Sequence, residues 1–199
     1  MNAISDTYLS IAAPSKGIYK ELGSKFLAFA YPVETEEEAK SILVAVRKEY
    51  FDARHHCYAW RLGLTGEPFR MNDDGEPSST AGRPIHGQLL SRELSDVLVV
   101  VVRYFGGVKL GVPGLIRAYK TATQDALDNA TVVEKVAGRH FTVEFDYLQM
   151  NDVMKALKDM GISPLQQEFD LSCRIMVKVR LSQIEAFRKQ LAFCQINIK

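Results

Sequence analysis

The chain has 199 residues, 25 Lys or Arg against 24 Asp or Glu, and a net charge of +1. Its 47% hydrophobic content is enough for one large core or two small ones, since domains usually run to roughly 100–150 residues. The near-neutral balance excludes a uniformly basic nucleic-acid binder and leaves anion recognition to a local patch; the longest apolar run, Val97 to Val102, falls far short of the ~20 residues that cross a bilayer.

The opening segment MNAISDTYLSIAAPSKG carries an acid, Asp6, and no cationic start before a long apolar stretch, so it does not read as a signal peptide. With no targeting segment, a cytoplasmic protein without membrane attachment is expected. Cys57, Cys173 and Cys194 are few, far apart and odd in number, with no C-x-x-C pair. That pattern argues against a disulfide framework or a zinc ribbon and fits a reducing compartment.

In chain order, residues 18–31 hold two strand-like runs around Gly23-Ser24, the pattern of a hairpin. Thr35 with Glu38 predicts a capping box, and Ala39, Ile42, Leu43, Val46 and Tyr50 recur at helical spacing. Residues 55–62 read as an aromatic-rich strand, residues 63–82 as a polar Gly/Pro loop, and residues 84–94 as a short helix with Pro84 in its first turn. Asp96 to Phe105 is the clearest buried strand. A glycine-rich loop follows over Gly106 to Gly114. Leu115, Ala118, Tyr119, Ala122, Ala126 and Leu127 then define a long helix.

The pattern breaks over residues 130–138, which sets a domain boundary near residue 136. Beyond it the expected order is strand 139–145, helix 148–160, strand 162–169, strand 173–181, helix 183–191 and strand 194–198. This β-α-β-β-α-β succession is the ferredoxin-like arrangement. The predicted organisation is therefore α+β, with domains 1–136 and 137–199.

Three segments together, DARHHCYAW (52–60), NDDGEPSSTAGRPI (72–85) and VVVVRYFGGVKLGVPGLIRAY (99–119), resemble the signature blocks of the IMPACT (YigZ-like) family in order and spacing. The likeness covers most of residues 17–130, and the ferredoxin-like tail matches the bacterial two-domain branch. It implies an N-terminal domain like domain 2 of ribosomal protein S5, a mixed sheet with two helices packed on one face. For the C-terminal domain it implies a likeness to ferredoxin-like domains of elongation factor G. It further implies a nucleic-acid- or ribosome-associated role linked to regulation of translation, with RNA, the ribosome or a translation-control protein as partner. It implies no cofactor, no established reaction and no fixed oligomeric state. Pro113 stands where the family pattern has glycine, which removes one backbone N–H from the loop.

The loop Gly106–Gly114 lies between a strand and a helix, where free amides and the helix dipole attract phosphate. Lys109 and Arg117 would add charge; Gly106, Gly107 and Gly111 free the backbone. The loop lacks the Lys-Ser/Thr of a Walker sequence, and a purely architectural role for its glycines stands beside the anion-site reading. Arg103 and Tyr104 end the buried strand. Arg54, His56, Tyr58 and Trp60 share one strand face by period two, a mixed stripe that would suit RNA if that face were open and a core face with Arg54 snorkelling if it were not.

Asp73, Asp74 and Glu76 cluster in the polar loop. They would serve as a metal or acid–base set or as turn residues salt-bridged to Arg54 or Arg83. Cys57 and His55, two apart on a strand, stand about 7 Å from each other, too far for a dyad, so a buried thiol is the expected reading. Ser78, Ser79 and Thr80 near His86 lack a nucleophile elbow. In the second domain Arg174, Lys178 and Arg180 share a strand face, either a basic surface or a solubilising one. Beside the binding role, an enzyme acting on a phosphorylated small molecule and a protein–protein adaptor remain as alternatives.

Overall fold

The computed structural model describes residues 6–169 and 173–198; the first five residues of the segment read against a signal peptide lie outside them. The chain is α+β and forms two units. One is Tyr8–Lys135; the other gathers Val136–Lys199 with the residues before Tyr8.

The first unit is built on a five-stranded sheet. Its strands are β2 (Ser15–Glu21), β3 (Ser24–Pro32), β4 (His55–Arg61), β5 (Phe69–Asn72) and β6 (Val97–Tyr104), in the order β2-β3-β6-β4-β5. A separate two-stranded sheet pairs β1 (Thr7–Ile11) with β7 (Val132–Val136). The helices are α1 (Glu36–Glu49), α2 (Gly82–Ser91) and α3 (Gly111–Asp128).

The unbroken β-branched run of β6 is explained by coverage on both faces. Val97, Val99 and Val101 face a core with Leu89 of α2 and Ala118, Tyr119 and Ala122 of α3. Leu98, Val100 and Val102 face a second core with Ala39, Leu43 and Val46 of α1. At roughly 1.5–3 kcal/mol per fully buried aliphatic side chain, this strand is a principal contributor to the unit's stability.

Three expected details are corrected. The pairings β2–β3, β3–β6, β6–β4 and β4–β5 are all antiparallel, not mixed; α2 and α3 are the two helices expected on one face, and α1 packs on the other. The β3–α1–β4 segment has the direction of a parallel crossover, but β6 sits between β3 and β4, so no parallel pair forms. Strand β5 lies inside the stretch read as loop; its four residues, Phe69 to Asn72, are all exposed, and a run this short between Gly/Pro-rich segments gives too few alternations to stand out. The α1 cap also differs by one residue. The Glu38 amide donates to Thr35 Oγ1 at 3.1 Å, while the Glu38 carboxylate accepts from the Glu34 amide at 2.7 Å.

The second unit comprises β8 (Gly138–Phe145), α4 (Met150–Asp159), β9 (Pro164–Phe169), β10 (Cys173–Arg180), α5 (Ile184–Gln190) and β11 (Gln195–Ile198). Its sheet runs β11-β8-β10-β9, antiparallel throughout. Both helices pack on the face bearing Phe141, Val143, Ile175 and Val177. On the other face Arg174 pairs with Glu144 at 3.0 Å and Glu168 at 3.7 Å, so acids offset the basic stripe. Asp6 accepts from Arg180 Nη2 at 2.8 Å and from the Ser182 hydroxyl at 2.6 Å; these bonds, Arg180 first, hold its carboxyl well below the usual carboxylate range.

Candidate functional site

Strand β6 ends against the hairpin joining β2 to β3. A Cβ at Gly106 would lie 1.9 Å from the Gly23 carbonyl carbon and 2.1 Å from the Ser24 nitrogen, so only glycine lets the two backbones meet here. The chain then turns at Gly107 and enters α3 at Gly111, whose φ of 68° is left-handed. Helix α3 thus begins within the segment read as loop.

No side chain caps the start of α3. Pro113 falls at the third helical position, where an N–H would have no intrahelical acceptor in any case. The first two helical amides, Gly111 and Val112, carry the positive end of the dipole.

Beside this helix start is a cavity of about 380 Å³. Phe105, Leu110, Val112 and Leu115 give it apolar walls, and Glu76, Arg103 and Lys109 give it charge. Two cations against one carboxylate leave the lining positive by one.

Arg103 is the unusual member. Its side chain is only 7% exposed, and Nη1 donates to Glu76 Oε1 at 2.6 Å. Its Nε is buried with no hydrogen-bond partner. Buried donors are normally satisfied, and an unmade bond costs about 1–3 kcal/mol. Glu76 Oε1 also accepts from the Tyr119 hydroxyl at 2.7 Å and lies 3.9 Å from His55 Nε2. His55 Nδ1 is 2.8 Å from the Asp74 carbonyl; a carbonyl only accepts, so Nδ1 carries a proton. Cys57 Sγ sits 3.3 Å from the Tyr119 oxygen and 3.0 Å from the Asp73 carbonyl oxygen. Burial pushes both the Cys57 thiol and the Tyr119 phenol up, so Cys57 is a neutral core group rather than a nucleophile.

Of the residues singled out in the sequence, Glu76, Arg103, Lys109 and Gly111 meet at the cavity. The others lie elsewhere. His56, Tyr58 and Trp60 are buried on the face covered by α1, which closes the stripe proposed for RNA; His56 Nε2 is 3.0 Å from the Tyr50 carbonyl. Arg54 and Arg83 are exposed and outside the cavity lining. The Tyr104 hydroxyl donates to Asp52 at 2.8 Å. Arg117 pairs with Glu21, which raises its pKa.

The three loop carboxylates separate into different duties. Asp73 accepts from the amides of Ser79, Ala81 and Gly82 at 2.8, 3.0 and 2.8 Å, so it caps α2 from outside the helix. The Ala81 and Gly82 amides at the start of α2 are thereby filled by the protein's own carboxylate. Asp74 binds Arg47 at 2.6 Å and the His56 amide at 2.7 Å. Among the described residues no three His, Cys, Asp or Glu side chains are grouped to hold a metal.

Phe105 and Tyr119 were missed as site residues. Phe105 read as the end of a buried strand, yet it lies one residue beyond β6 and is 43% exposed. Tyr119 read as one more member of a helical stripe, and nothing local marks its hydroxyl as a partner for a residue 43 positions away.

Comparison with known proteins places this architecture among relatives. The model of the Impact N-terminal domain matches residues 22–127. The chain is 30% identical over 189 residues to the IMPACT family member YigZ of Escherichia coli (strain K12), covering 94% of this chain and 93% of that protein. It is 33% identical over 170 residues to an IMPACT family member of Haemophilus influenzae, covering 84% and 82%. A crystal structure of a hypothetical protein superposes with a TM-score of 0.75 at 29% identity, over 97% of each chain. No helix among the described residues is long and apolar enough to cross a membrane.

Proposed function

This chain belongs to the IMPACT family, and from that premise we propose that its Tyr8–Lys135 unit is an RNA-binding module serving regulation of translation, with the cavity at the start of α3 receiving the RNA. The observation that carries this reading is the buried Arg103 with its unsatisfied Nε, on the same cavity as Lys109 and an uncapped helix start. An unmet arginine donor beside a helix start with no side-chain cap, in a lining of net positive charge, suits a phosphate or another acceptor-rich group. The apolar walls suit the rest of a nucleotide, and the volume falls within the range of small-ligand sites, about 300–1,000 Å³. The link to translation rests on membership of the family.

Fluorescence anisotropy of a labelled single-stranded RNA across a salt series tests the reading. Each neutralised phosphate on a single strand contributes a log–log slope of about −0.7. A site with one lysine and one helix start engages about two phosphates, so the slope expected is about −1.4. Lys109→Ala should lower its magnitude by about 0.7. Absence of binding at low salt, or affinity independent of salt, contradicts the proposal.

The enzyme alternative loses support because Asp73 and Asp74 are committed to backbone amides and Arg47. Exposed Val108, Val112 and Ile116 around the cavity favour a protein partner as the second reading. Binding to ribosomes that survives nuclease treatment would support it over RNA.

A further inference from the structure

We propose that Phe105 is the stacking platform for one unpaired base, making the site a reader of single-stranded rather than duplex RNA. The inference rests on the RNA-binding reading above and adds to it the residue that holds the base.

The Arg103 guanidinium carbon lies 5.4 Å from the centroid of Phe26 and 5.7 Å from that of Phe105, both within cation–π range. Phe26 is wholly buried and meets Tyr119 edge-on at 5.1 Å. The run Phe26–Arg103–Phe105 is therefore anchored at one end in the core. It is pinned in the middle by the 2.6 Å bond to Glu76 and left open at Phe105, which is 43% exposed and borders the cavity.

An exposed aromatic ring leaves apolar surface in water unless something covers it. Here the ring is backed by a fixed guanidinium, so its position is set before any ligand arrives and little ordering is lost on binding. Lys109 and the α3 amides lie on the same cavity. A base against Phe105 and its phosphate at the helix start would thus use the apolar and cationic parts of one site together. A cavity of about 380 Å³ is of the size that takes one nucleotide, and a ring face is free to stack only on a base that is out of its own helix. Every base offers a π face, so the recognition is sequence-tolerant.

The test uses the full-length protein with two probes, a fluorescein-labelled oligouridylate and inorganic pyrophosphate, which has charge but no ring. Phe105→Ala is expected to weaken oligouridylate binding about 5–150-fold and leave pyrophosphate binding unchanged. Phe105→Trp should retain RNA affinity, and its added tryptophan emission should be quenched by RNA and not by pyrophosphate. Because Phe105 is exposed, a lost fold is not expected; circular dichroism checks it, and the tryptophan variant gives an independent readout. Wild-type RNA affinity in Phe105→Ala, with weakened binding in Lys109→Ala, overturns stacking and leaves the anion site standing. Equal loss for both probes in Phe105→Ala overturns it too, since the ring would then only shape the loop. If neither probe binds the wild-type protein at low salt, the site reading and this inference fall together.

Discussion

Replacing Glu76 by glutamine separates two roles of one carboxylate. The side chains of Glu76 and Arg103 are 3% and 7% exposed, so this is a buried pair. Glu76 Oε1 accepts at 2.6 Å from Arg103 and at 2.7 Å from Tyr119. Glutamine keeps the shape and one acceptor but loses the charge, leaving the guanidinium buried without a counter-charge. Hydrogen bonds to charged groups contribute about 1.5–3 kcal/mol each, and breaking a buried pair outright costs about 3–5 kcal/mol. A loss of about 2–4 kcal/mol is therefore expected. With a urea dependence of about 2 kcal/mol per molar, the middle of the usual range, the unfolding midpoint of the Tyr8–Lys135 unit should fall by about 1–2 M.

The same change raises the charge of the cavity lining from plus one to plus two. A unit charge within the ~10 Å screening length of a bound anion, at an effective dielectric near 20, is worth roughly several-fold in affinity. Stability should fall while pyrophosphate affinity rises, as read by urea unfolding and isothermal titration calorimetry. An unchanged midpoint would refute the buried ion pair. Affinity that falls with stability would refute the opposition between Glu76 and the guest, and would make the carboxylate part of the site's positioning.

Asp73→Ala removes the acceptor for three amides at the start of α2 and should cost about 1–2 kcal/mol by urea unfolding, as loss of a helix cap does; an unchanged midpoint would contradict the capping role. For Asp6, the depressed native pKa means that the unfolded chain takes up the proton first. Its stabilising contribution is full above the ordinary carboxylate value, about 4, and is lost as pH falls from there toward the lower native value. Wild type should therefore exceed Asp6→Asn in stability at neutral pH, with the gap closing in acid; a gap independent of pH between neutral and about pH 3 would show that the charge is not what matters.

Much of the architecture was legible because it is written in periodicity. The β-branched run of β6, the 3.6-residue stripes of α1 and α3 and the element order of the second unit all follow from local pattern. Strands β1, β5 and β7 were not read, since each has only four or five residues, too few for an alternating pattern to stand out. At the site, residue type was legible and partnership was not. Arg103, Lys109 and Glu76 could be named as charged groups near glycine. Which of Asp73, Asp74 and Glu76 reaches the cavity depends on the loop path from β5 to α2, set by Asp73 wrapping the amides of Ser79, Ala81 and Gly82. The parity rule placed His56, Tyr58 and Trp60 together correctly on one face, but whether a helix covers that face is a tertiary fact. Phe105 escaped notice because one residue separates the end of a buried strand from an open cavity wall.

The most direct measurement is a titration of isotopically labelled protein with a short single-stranded RNA, followed by amide and arginine side-chain nuclear magnetic resonance. Shifts should concentrate on the amides of Lys109, Gly111 and Val112 and on the Arg103 Nε–H, which should move as it gains an acceptor. Saturating binding that leaves these four signals in place, with shifts gathered elsewhere on the protein, would contradict the account.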